Sequence, residues 1–179
     1  MEYVDLLDSS GRPTGRRKPK QEVHRDGDWH GAAHVWILNT KGQILIQRRS
    51  PTKENWPDLW DVSVAGHISA GEEPIEAARR ETQEELGITF DPGECRYLFT
   101  VAEQVALKKG NYIDNEYHHV FLVEKDLQVE DLMFSDGEVA EARFVALRDL
   151  QTNLTTDPSR FVPHEEEYRK LFEVLRNPC

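Results

Sequence analysis

The 179-residue sequence is poor in cysteine and contains no long apolar run. Its two cysteines, Cys95 and Cys179, show no CxxC spacing, which argues against a disulfide framework and against a cysteine-rich zinc site. No apolar stretch approaches the roughly 20 residues that a membrane-spanning helix needs, and the N-terminal residues lack the apolar segment of a secretory signal. We therefore expect a cytoplasmic protein that does not bind membranes.

Basic side chains are also outnumbered, since 22 lysines and arginines stand against 33 aspartates and glutamates. The formal net charge of −11 argues against a nucleic-acid partner, because a phosphate backbone attracts basic surfaces. The charge is uneven: residues 1–53 carry 10 basic and 6 acidic groups, whereas residues 54–179 carry 12 and 27. A site for a metal-bound phosphate explains this asymmetry, because carboxylates hold the cation and basic residues hold the anion. A solvated acidic surface beside a basic N-terminal segment explains it as well.

The apolar fraction of 38% is enough for one sizeable core, so we expect one domain over residues 1–179. Apolar and β-branched runs predict strands at residues 3–8, 33–39, 43–49, 61–66, 95–104, 116–124 and 141–147. Helices are predicted over residues 72–87 and 163–176, and a polar connector over residues 16–30. This mixture indicates an α/β fold of the α+β kind.

The helix predicted over residues 72–87 carries three glutamates on one face. Glu81, Glu84 and Glu85 are related by steps of three and four, so their carboxylates project together. Like charges at these spacings weaken a helix, and a bound divalent cation such as Mg²⁺ would compensate for the repulsion. A solvated glutamate-rich face is the simpler interpretation of the three residues taken alone.

An extended pattern surrounds these glutamates, in the segment GHISAGEEPIEAARRETQEELGI. Its spacing is Gly-x5-Glu-x7-Arg-Glu-U-x-Glu-Glu-x-Gly-U, where U is an aliphatic residue; the matching positions are Gly66, Glu72, Arg80, Glu81, Glu84, Glu85, Gly87 and Ile88. This pattern resembles the Nudix box, with Thr82 in place of the usual aliphatic residue. The resemblance implies the Nudix fold, a mixed β-sheet sandwiched between helices, and a single Nudix domain.

The resemblance also implies roles for these residues. Glu81, Glu84 and Glu85 would be ligands of Mg²⁺ or Mn²⁺. Gly66 would offer its carbonyl to the metal, and Arg80 would orient the glutamates through charge-assisted hydrogen bonds. The reaction of the family is attack of metal-activated water on a phosphorus atom of a diphosphate joined to another group. The general base varies in the family, so several candidates stay open: Glu84, Glu85, Glu116 and Glu138.

A second resemblance, to isopentenyl-diphosphate isomerase and its relatives, covers most of the chain. It implies a further metal site of three histidines and two carboxylates, which match His24, His30, His67, Asp114 and Glu116. Asp114 departs from the isomerase pattern, which has glutamate at this position. The resemblance also implies a diphosphate-binding group of basic residues, which match Lys20, Arg49 and Lys53.

One residue separates a hydrolase from an isomerase. An isomerase moves a double bond by protonating and deprotonating carbon, with a cysteine and a glutamate on opposite faces of the alkene. Glu116 matches the glutamate, but Ala65 stands at the cysteine position and carries no proton. We therefore expect hydrolysis of a small-molecule diphosphate, with isomerisation as the alternative and a non-catalytic binding module as a third reading. The substrates that the resemblance implies are prenyl diphosphates such as isopentenyl diphosphate, and nucleoside diphosphate derivatives.

Two further expectations concern aromatic residues and assembly. Trp36 is expected in the core, whereas Trp56 and Trp60 precede the box, where an indole covers a substrate or packs the loop. Of these, Trp60 is our candidate for substrate binding. The segment QEVHRDGDWHGAAHVWI and the ending RKLFEVLRNPC also resemble the Nudix domain that plants carry fused to a dipeptidyl-peptidase III domain. The sequence has no HExxH motif, so we expect a hydrolase without a peptidase, acting as a monomer or homodimer.

Overall fold

The computed structural model describes residues 2–107, 112–135 and 137–176. Cys179 therefore lies outside the described residues. Within them the strands are β1 (Tyr3–Leu7), β2 (Pro13–Pro19), β3 (Trp29–Leu38), β4 (Gln43–Arg49), β5 (Trp60–Asp61), β6 (Val64–His67), β7 (Cys95–Leu107), β8 (Tyr112–Glu124) and β9 (Val139–Ala146). The α-helices are α1 (Lys20–Asp26), α2 (Pro74–Leu86), α3 (Leu147–Thr156) and α4 (Glu165–Arg176). No helix of the described residues is long and apolar enough to cross a membrane.

Strand β3 is the centre of a mixed sheet. It pairs in parallel with β8 over its whole length, from Trp29 opposite Asn115 to Leu38 opposite Glu124. Its other edge pairs antiparallel with β1, β6 and β4 in turn. Strand β7 extends the sheet beyond β8, and β9 pairs with β4. Residues 30–37 of β3 are all buried, because this central strand is covered by helices on both faces of the sheet, which explains its nearly continuous apolar sequence.

Helices cover both faces of this sheet. On one face, Val35 and Ile37 belong to a core cluster with Ala77 and Leu86 of α2. On the other face, Trp36 belongs to a second cluster that includes residues of α3 and α4, among them Leu150, Tyr168 and Leu171. The predicted mixed sheet between helices is therefore confirmed, and so is the burial of Trp36, which is 0% exposed.

The box helix has the expected limits. Pro74 stands in the first turn of α2, where its missing N–H costs no hydrogen bond. Gly87 ends the helix in the left-handed region at φ 72°, and its N–H donates to the Gln83 carbonyl. Thr82, the departure from the box pattern, is fully buried, and its hydroxyl donates to the Ala78 carbonyl at 2.6 Å. The helix thus satisfies the hydroxyl internally where an aliphatic side chain is usual.

The polar connector predicted over residues 16–30 is wrong. These residues contribute to β2, α1 and the start of β3. Strand β2 has no buried residue, and its pairing with β1 holds it in place. Its sequence therefore lacks the alternation of apolar and polar residues by which a strand is predicted. Helix α1 has seven residues and one buried apolar side chain, Val23, which is too little for a helical period. Helix α3 was also not predicted, because its threonines and asparagine favour helix weakly.

Candidate active site and metal centre

A cavity of about 1190 Å³ lies where α1, β6, α2 and β8 meet. It brings together residues of the box and residues of the histidine–carboxylate set that the second resemblance implied. The following predicted residues line it: Lys20, His24, Arg49, Lys53, Ala65, Gly66, His67, Arg80, Glu81, Glu84, Asp114, Glu116 and Glu138. Predicted positions separated by up to 118 residues in sequence therefore share one cavity wall.

The box arginine holds several acceptors at once. Arg80 donates through Nε and Nη2 to both carboxylate oxygens of Glu72, at 3.0 and 2.8 Å, in the bidentate arrangement that favours arginine. Its Nη1 donates to Glu81 at 2.6 Å and to Glu84 at 3.2 Å. A further bond from Nη2 reaches the His67 carbonyl at 2.9 Å. Arg80 thus orients the glutamates, as the resemblance implied, and ties α2 to the end of β6.

The absence of a side chain at Gly66 makes room for the box. A Cβ built on Gly66 would overlap the carboxyl group of Glu81. Only glycine therefore lets the Glu81 carboxylate pass this close to the end of β6. Burial, together with the nearby charge of Glu84, raises the pKa of Glu81 in spite of Arg80. A group whose carboxylate form is destabilised in this way would gain from a cation beside it.

The other two box glutamates differ in exposure. The side chain of Glu84 is 52% exposed and borders the cavity. Glu85 is 3% exposed, accepts a hydrogen bond from Gln47 at 2.8 Å and is not among the cavity-lining residues. The three glutamates are neighbours on one face of α2. Glu81 and Glu84 point toward the cavity, whereas Glu85 is hydrogen-bonded to Gln47 of β4.

The histidine–carboxylate cluster consists of His24, His30, His67, Asp114 and Glu116. Nε2 of His24 lies 3.1 Å from Nε2 of His67, and Nδ1 of His24 lies 3.3 Å from Asp114. Oε1 of Glu116 lies 3.1 Å from Nε2 of His30 and 3.1 Å from Nε2 of His67. Nε2 of His30 is 3.8 Å from Asp114. The five side chains thus point their donor atoms at one small volume.

Strand pairing explains why these residues converge. In β8, Asp114 and Glu116 are two positions apart, so they project from the same face. In the parallel register with β3, His30 stands opposite Glu116. His67 is the last residue of β6, which pairs with β3 on its other edge, and α1 carries His24 above the same end of the sheet. Four elements therefore contribute to the cluster.

The cluster fits a divalent cation. Nδ1 of His24, Nε2 of His30 and Oδ1 of Asp114 are buried atoms without a hydrogen-bond partner, although buried polar atoms normally have one. Imidazole and carboxylate ligands bind metals at about 2.0–2.2 Å, which places neighbouring ligand atoms about 3 Å apart. Most of the separations within the cluster are 3.1–3.3 Å. Three neutral imidazoles with two carboxylates are a donor set that suits a transition metal or Mg²⁺.

The predicted diphosphate-binding residues lie on the cavity wall, and each has an acidic neighbour. Lys20 contacts Glu2 at 3.2 Å, Arg49 contacts Asp61 at 2.9 Å and Lys53 contacts Glu138 at 2.5 Å. Their positive charges face a cavity that also holds the glutamates. This arrangement places cationic side chains beside the predicted metal site, as a diphosphate requires.

The two loop tryptophans take different positions. Trp56 lines the cavity, with a positive φ of 52°. Trp60 is 4% exposed, and the guanidinium of Arg143 stacks on its ring at 4.0 Å from the centroid. Trp60 is not among the cavity-lining residues, so its position does not support the substrate-binding role expected for it. The spacing of two tryptophans in a loop does not predict which ring lies in the core and which ring lines the cavity.

Sequence reasoning missed the polar residues behind the cluster. Burial would raise the pKa of Glu116, but the adjacent imidazoles of His118, His30 and His67 lower it well below its usual range. The others that were missed are His34, Glu103, Tyr112, His164 and Glu167. Two-residue alternation along β8, which places Tyr112, Asp114, Glu116 and His118 on one face, was the available signal.

Comparison with known proteins agrees with this geometry. The NUDIX domain family model matches residues 28–164. Nudix hydrolase 3 of Arabidopsis thaliana is 38% identical over 183 residues, which are 99% of this chain and 24% of the plant protein, so the chain spans about a quarter of that relative. An isopentenyl-diphosphate Delta-isomerase of Escherichia coli is 32% identical over 162 residues, 90% of this chain and 86% of the isomerase. A Deinococcus radiodurans crystal structure has the same fold, with a TM-score of 0.71, 21% identity and 98% coverage of both chains.

Proposed function

Since the chain belongs to the Nudix hydrolase family, we propose that it uses Mg²⁺ or Mn²⁺ to hydrolyse a diphosphate linked to a small organic group. The observation that carries this proposal is the shared cavity: two box carboxylates, four of the five members of the histidine–carboxylate cluster and three basic residues border it. Cations and a polyanionic substrate need opposite charges within a few ångströms of each other. This cavity provides both.

The roles of the residues follow from their positions. Glu81 and Glu84, with the Gly66 carbonyl, would hold one cation, and the cluster of His24, His30, His67, Asp114 and Glu116 would hold another. A bound cation lowers the pKa of a water ligand and neutralises charge on the phosphate oxygens. Lys20, Arg49 and Lys53 would bind the diphosphate oxygens that the cations leave free. Glu84, Glu116 and Glu138, which all lie on the cavity wall, are the candidates for the general base.

The proposed substrates are a prenyl diphosphate such as isopentenyl diphosphate, or a nucleoside diphosphate derivative. Similarity to an isopentenyl-diphosphate isomerase over most of the chain supports the first class. The ring of Trp56 on the cavity wall supports either class, because an indole covers an apolar chain and also stacks on a base. We further propose that residues 1–179 act as one cytoplasmic domain, as a monomer or homodimer.

Isomerisation is the second candidate function. The five-residue cluster, which matches the metal site of that branch, favours it. Ala65 opposes it, because this methyl side chain lines the cavity where the isomerase has its proton-carrying cysteine. Cys95 is on β7, and burial raises the pKa of its thiol to about 11, so it is not a substitute acid at the cavity.

The test is a product analysis. The purified protein is incubated with Mg²⁺ or Mn²⁺ and isopentenyl diphosphate, in parallel with nucleoside diphosphates and triphosphates, and products are followed by ³¹P NMR and hydrocarbon analysis. We expect metal-dependent release of phosphate or a monophosphate, which EDTA abolishes. An intact diphosphate with a shifted double bond would establish the isomerase instead. Binding without turnover of any substrate would contradict both and indicate a binding module.

A further inference from the structure

A buried carboxylate from the C-terminal helix lies behind the metal cluster. Glu167 of α4 is 1% exposed, and its Oε1 accepts a hydrogen bond from the indole N–H of Trp36 at 2.9 Å. Its Oε2 lies 2.8 Å from Nδ1 of His34 and 3.4 Å from Nδ1 of His118. Trp36 and His34 belong to β3, and His118 belongs to β8. One carboxylate therefore joins α4 to the two central strands.

Packing alone does not require a glutamate at this position. The neighbouring residues Tyr168 and Leu171 are buried in the apolar cluster on the same face of the sheet. A buried carboxylate has a large desolvation cost, and apolar residues of similar volume often stabilise a core as well or better. The charge at position 167 therefore points to a role beyond holding α4 against the sheet.

The carboxylate reaches the metal cluster through one histidine. Nε2 of His118 lies 3.0 Å from Oε2 of Glu116, on the opposite side of the ring from Glu167. The other oxygen of Glu116, Oε1, faces His30 and His67 at 3.1 Å. His118 thus occupies one oxygen of Glu116 and leaves the other aimed into the cluster. The 3.4 Å approach of Glu167 to Nδ1 of His118 is an electrostatic contact, because that nitrogen makes no hydrogen bond. The histidine is 1% exposed, so water does not replace either contact.

We propose that Glu167 is a positioning residue: through His118 it fixes the orientation of Glu116, and it thereby sets the affinity of the cluster for a divalent cation. This inference rests on the proposed function, because it assumes that the cluster binds metal. Residues that orient metal ligands in this way commonly change metal affinity by roughly 10- to 100-fold when they are lost. The three residues Glu116, His118 and Glu167 are called the relay below.

The test measures Mn²⁺ alone, without substrate, by electron paramagnetic resonance titration of the intact chain. We expect Glu167→Gln to weaken Mn²⁺ binding by roughly 10- to 100-fold, because an amide does not hold His118 as a carboxylate does. Glu165→Gln is the matched control, since Glu165 is an exposed glutamate of the same helix. This control should keep wild-type Mn²⁺ affinity.

A double-variant cycle separates positioning from general destabilisation. His118→Asn should weaken Mn²⁺ binding as Glu167→Gln does, and the double variant should show no further loss, because both changes interrupt one relay. Independent structural damage would instead multiply the two losses. If Glu167→Gln does not fold, as judged by circular dichroism, His118→Asn alone decides the matter: wild-type Mn²⁺ affinity in that variant overturns the proposal.

Failure of this inference differs from failure of the proposed function. Wild-type Mn²⁺ affinity in a folded Glu167→Gln variant overturns the relay, whether or not the protein hydrolyses a diphosphate. Weak Mn²⁺ binding by the variant, together with wild-type protein that binds Mn²⁺ but hydrolyses nothing, supports the relay and contradicts the hydrolase. Equal losses in Glu165→Gln and Glu167→Gln also overturn the relay.

Discussion

The two groups of acidic ligands beside the cavity are assembled in opposite ways. The box carboxylates come from one helix, where Glu81, Glu84 and Glu85 lie within a single turn and Arg80 orients two of them. The histidine–carboxylate cluster takes its members from α1, β3, β6 and β8. Helical periodicity thus builds the first group locally, whereas strand register builds the second. The two groups meet at Gly66 and His67, where Arg80 and Glu81 contact the end of β6.

This comparison predicts that the box glutamates on the cavity wall withstand single substitutions structurally but not catalytically. Glu81→Gln or Glu84→Gln should lower turnover by about 10²- to 10⁴-fold, the range for loss of a group that acts on the reacting proton or its metal. Circular dichroism should show a folded protein, because Gln keeps the shape of the side chain. Steady-state hydrolysis of the substrate found by ³¹P NMR provides the measurement.

The control for these variants is Glu76→Gln on the same helix. The side chain of Glu76 is 59% exposed and contacts Arg79 at 3.7 Å, so its loss should leave turnover unchanged. Near-wild-type rates in both Glu81→Gln and Glu84→Gln would remove the box from the active site.

The contact between the two groups is tested by Gly66→Ala. The new methyl group would occupy the space of the Glu81 carboxyl, so either the helix or the strand end must shift. Overpacking of this kind commonly costs about 1–3 kcal/mol of stability. We expect turnover to fall roughly 10- to 100-fold, as for other displaced ligands. Gly93→Ala is the control, because nothing lies within 4 Å of a Cβ built there. Equal activity of the two variants would show that Glu81 need not approach β6.

The stability of the protein should also depend on pH, through the buried ion pairs that Asp61 forms with Arg49 and His164. Burial would raise the pKa of Asp61, which is 2% exposed, but His164 and Arg49 lower it below its usual range. Asp61→Asn should therefore destabilise the protein at neutral pH by about 3 kcal/mol, because it leaves buried partners unpaired.

The pH dependence of this loss has a definite sign. A carboxylate whose pKa is lowered in the folded state stabilises the fold above the usual aspartate pKa of about 4, and this contribution is lost as pH falls through the lowered value. Denaturant unfolding at several pH values should show the difference between wild type and Asp61→Asn shrinking in acid. Asp58→Asn serves as control, since Asp58 is 57% exposed and asparagine tolerates its φ of 62°. A pH-independent difference would contradict the lowered pKa.

The smallest expected effect concerns the choice of reaction. Ala65→Cys places a thiol on the wall of the cavity that Glu116 also lines, so we expect trace double-bond isomerisation of isopentenyl diphosphate with hydrolysis largely retained. Hydrocarbon analysis of the products measures it, and Ala65→Ser is the matched control, because a hydroxyl is a much weaker acid. Isomerisation at the same rate in both variants would contradict a specific role for the cysteine.

The arrangement of the box residues could be predicted from the sequence more completely than that of the residues around the box. The limits of α2 were predictable from local sequence signals, and the contacts of Arg80 with the glutamates were expected from the resemblance to the Nudix box. The close approach of Glu81 to Gly66 appears only in the structure. The five cluster residues were matched only through resemblance, since single histidines carry no spacing of their own. Trp60 illustrates the limit: its place in the chain suggested the cavity, but packing against Arg143 puts it in the core.

By itself, the sequence determined the glutamate face of α2, because helical spacing is short-range, and its resemblance to the Nudix box indicated the family and the mixed sheet between helices. Only the tertiary structure decided which strands bring His30 opposite Glu116, and that a carboxylate 133 residues away from His34 closes the network behind them. The physical reason is that a buried carboxylate such as Glu167 is stable only beside groups that compensate for its charge. The packing of α4 against the sheet brings it to those groups, which belong to β3 and β8.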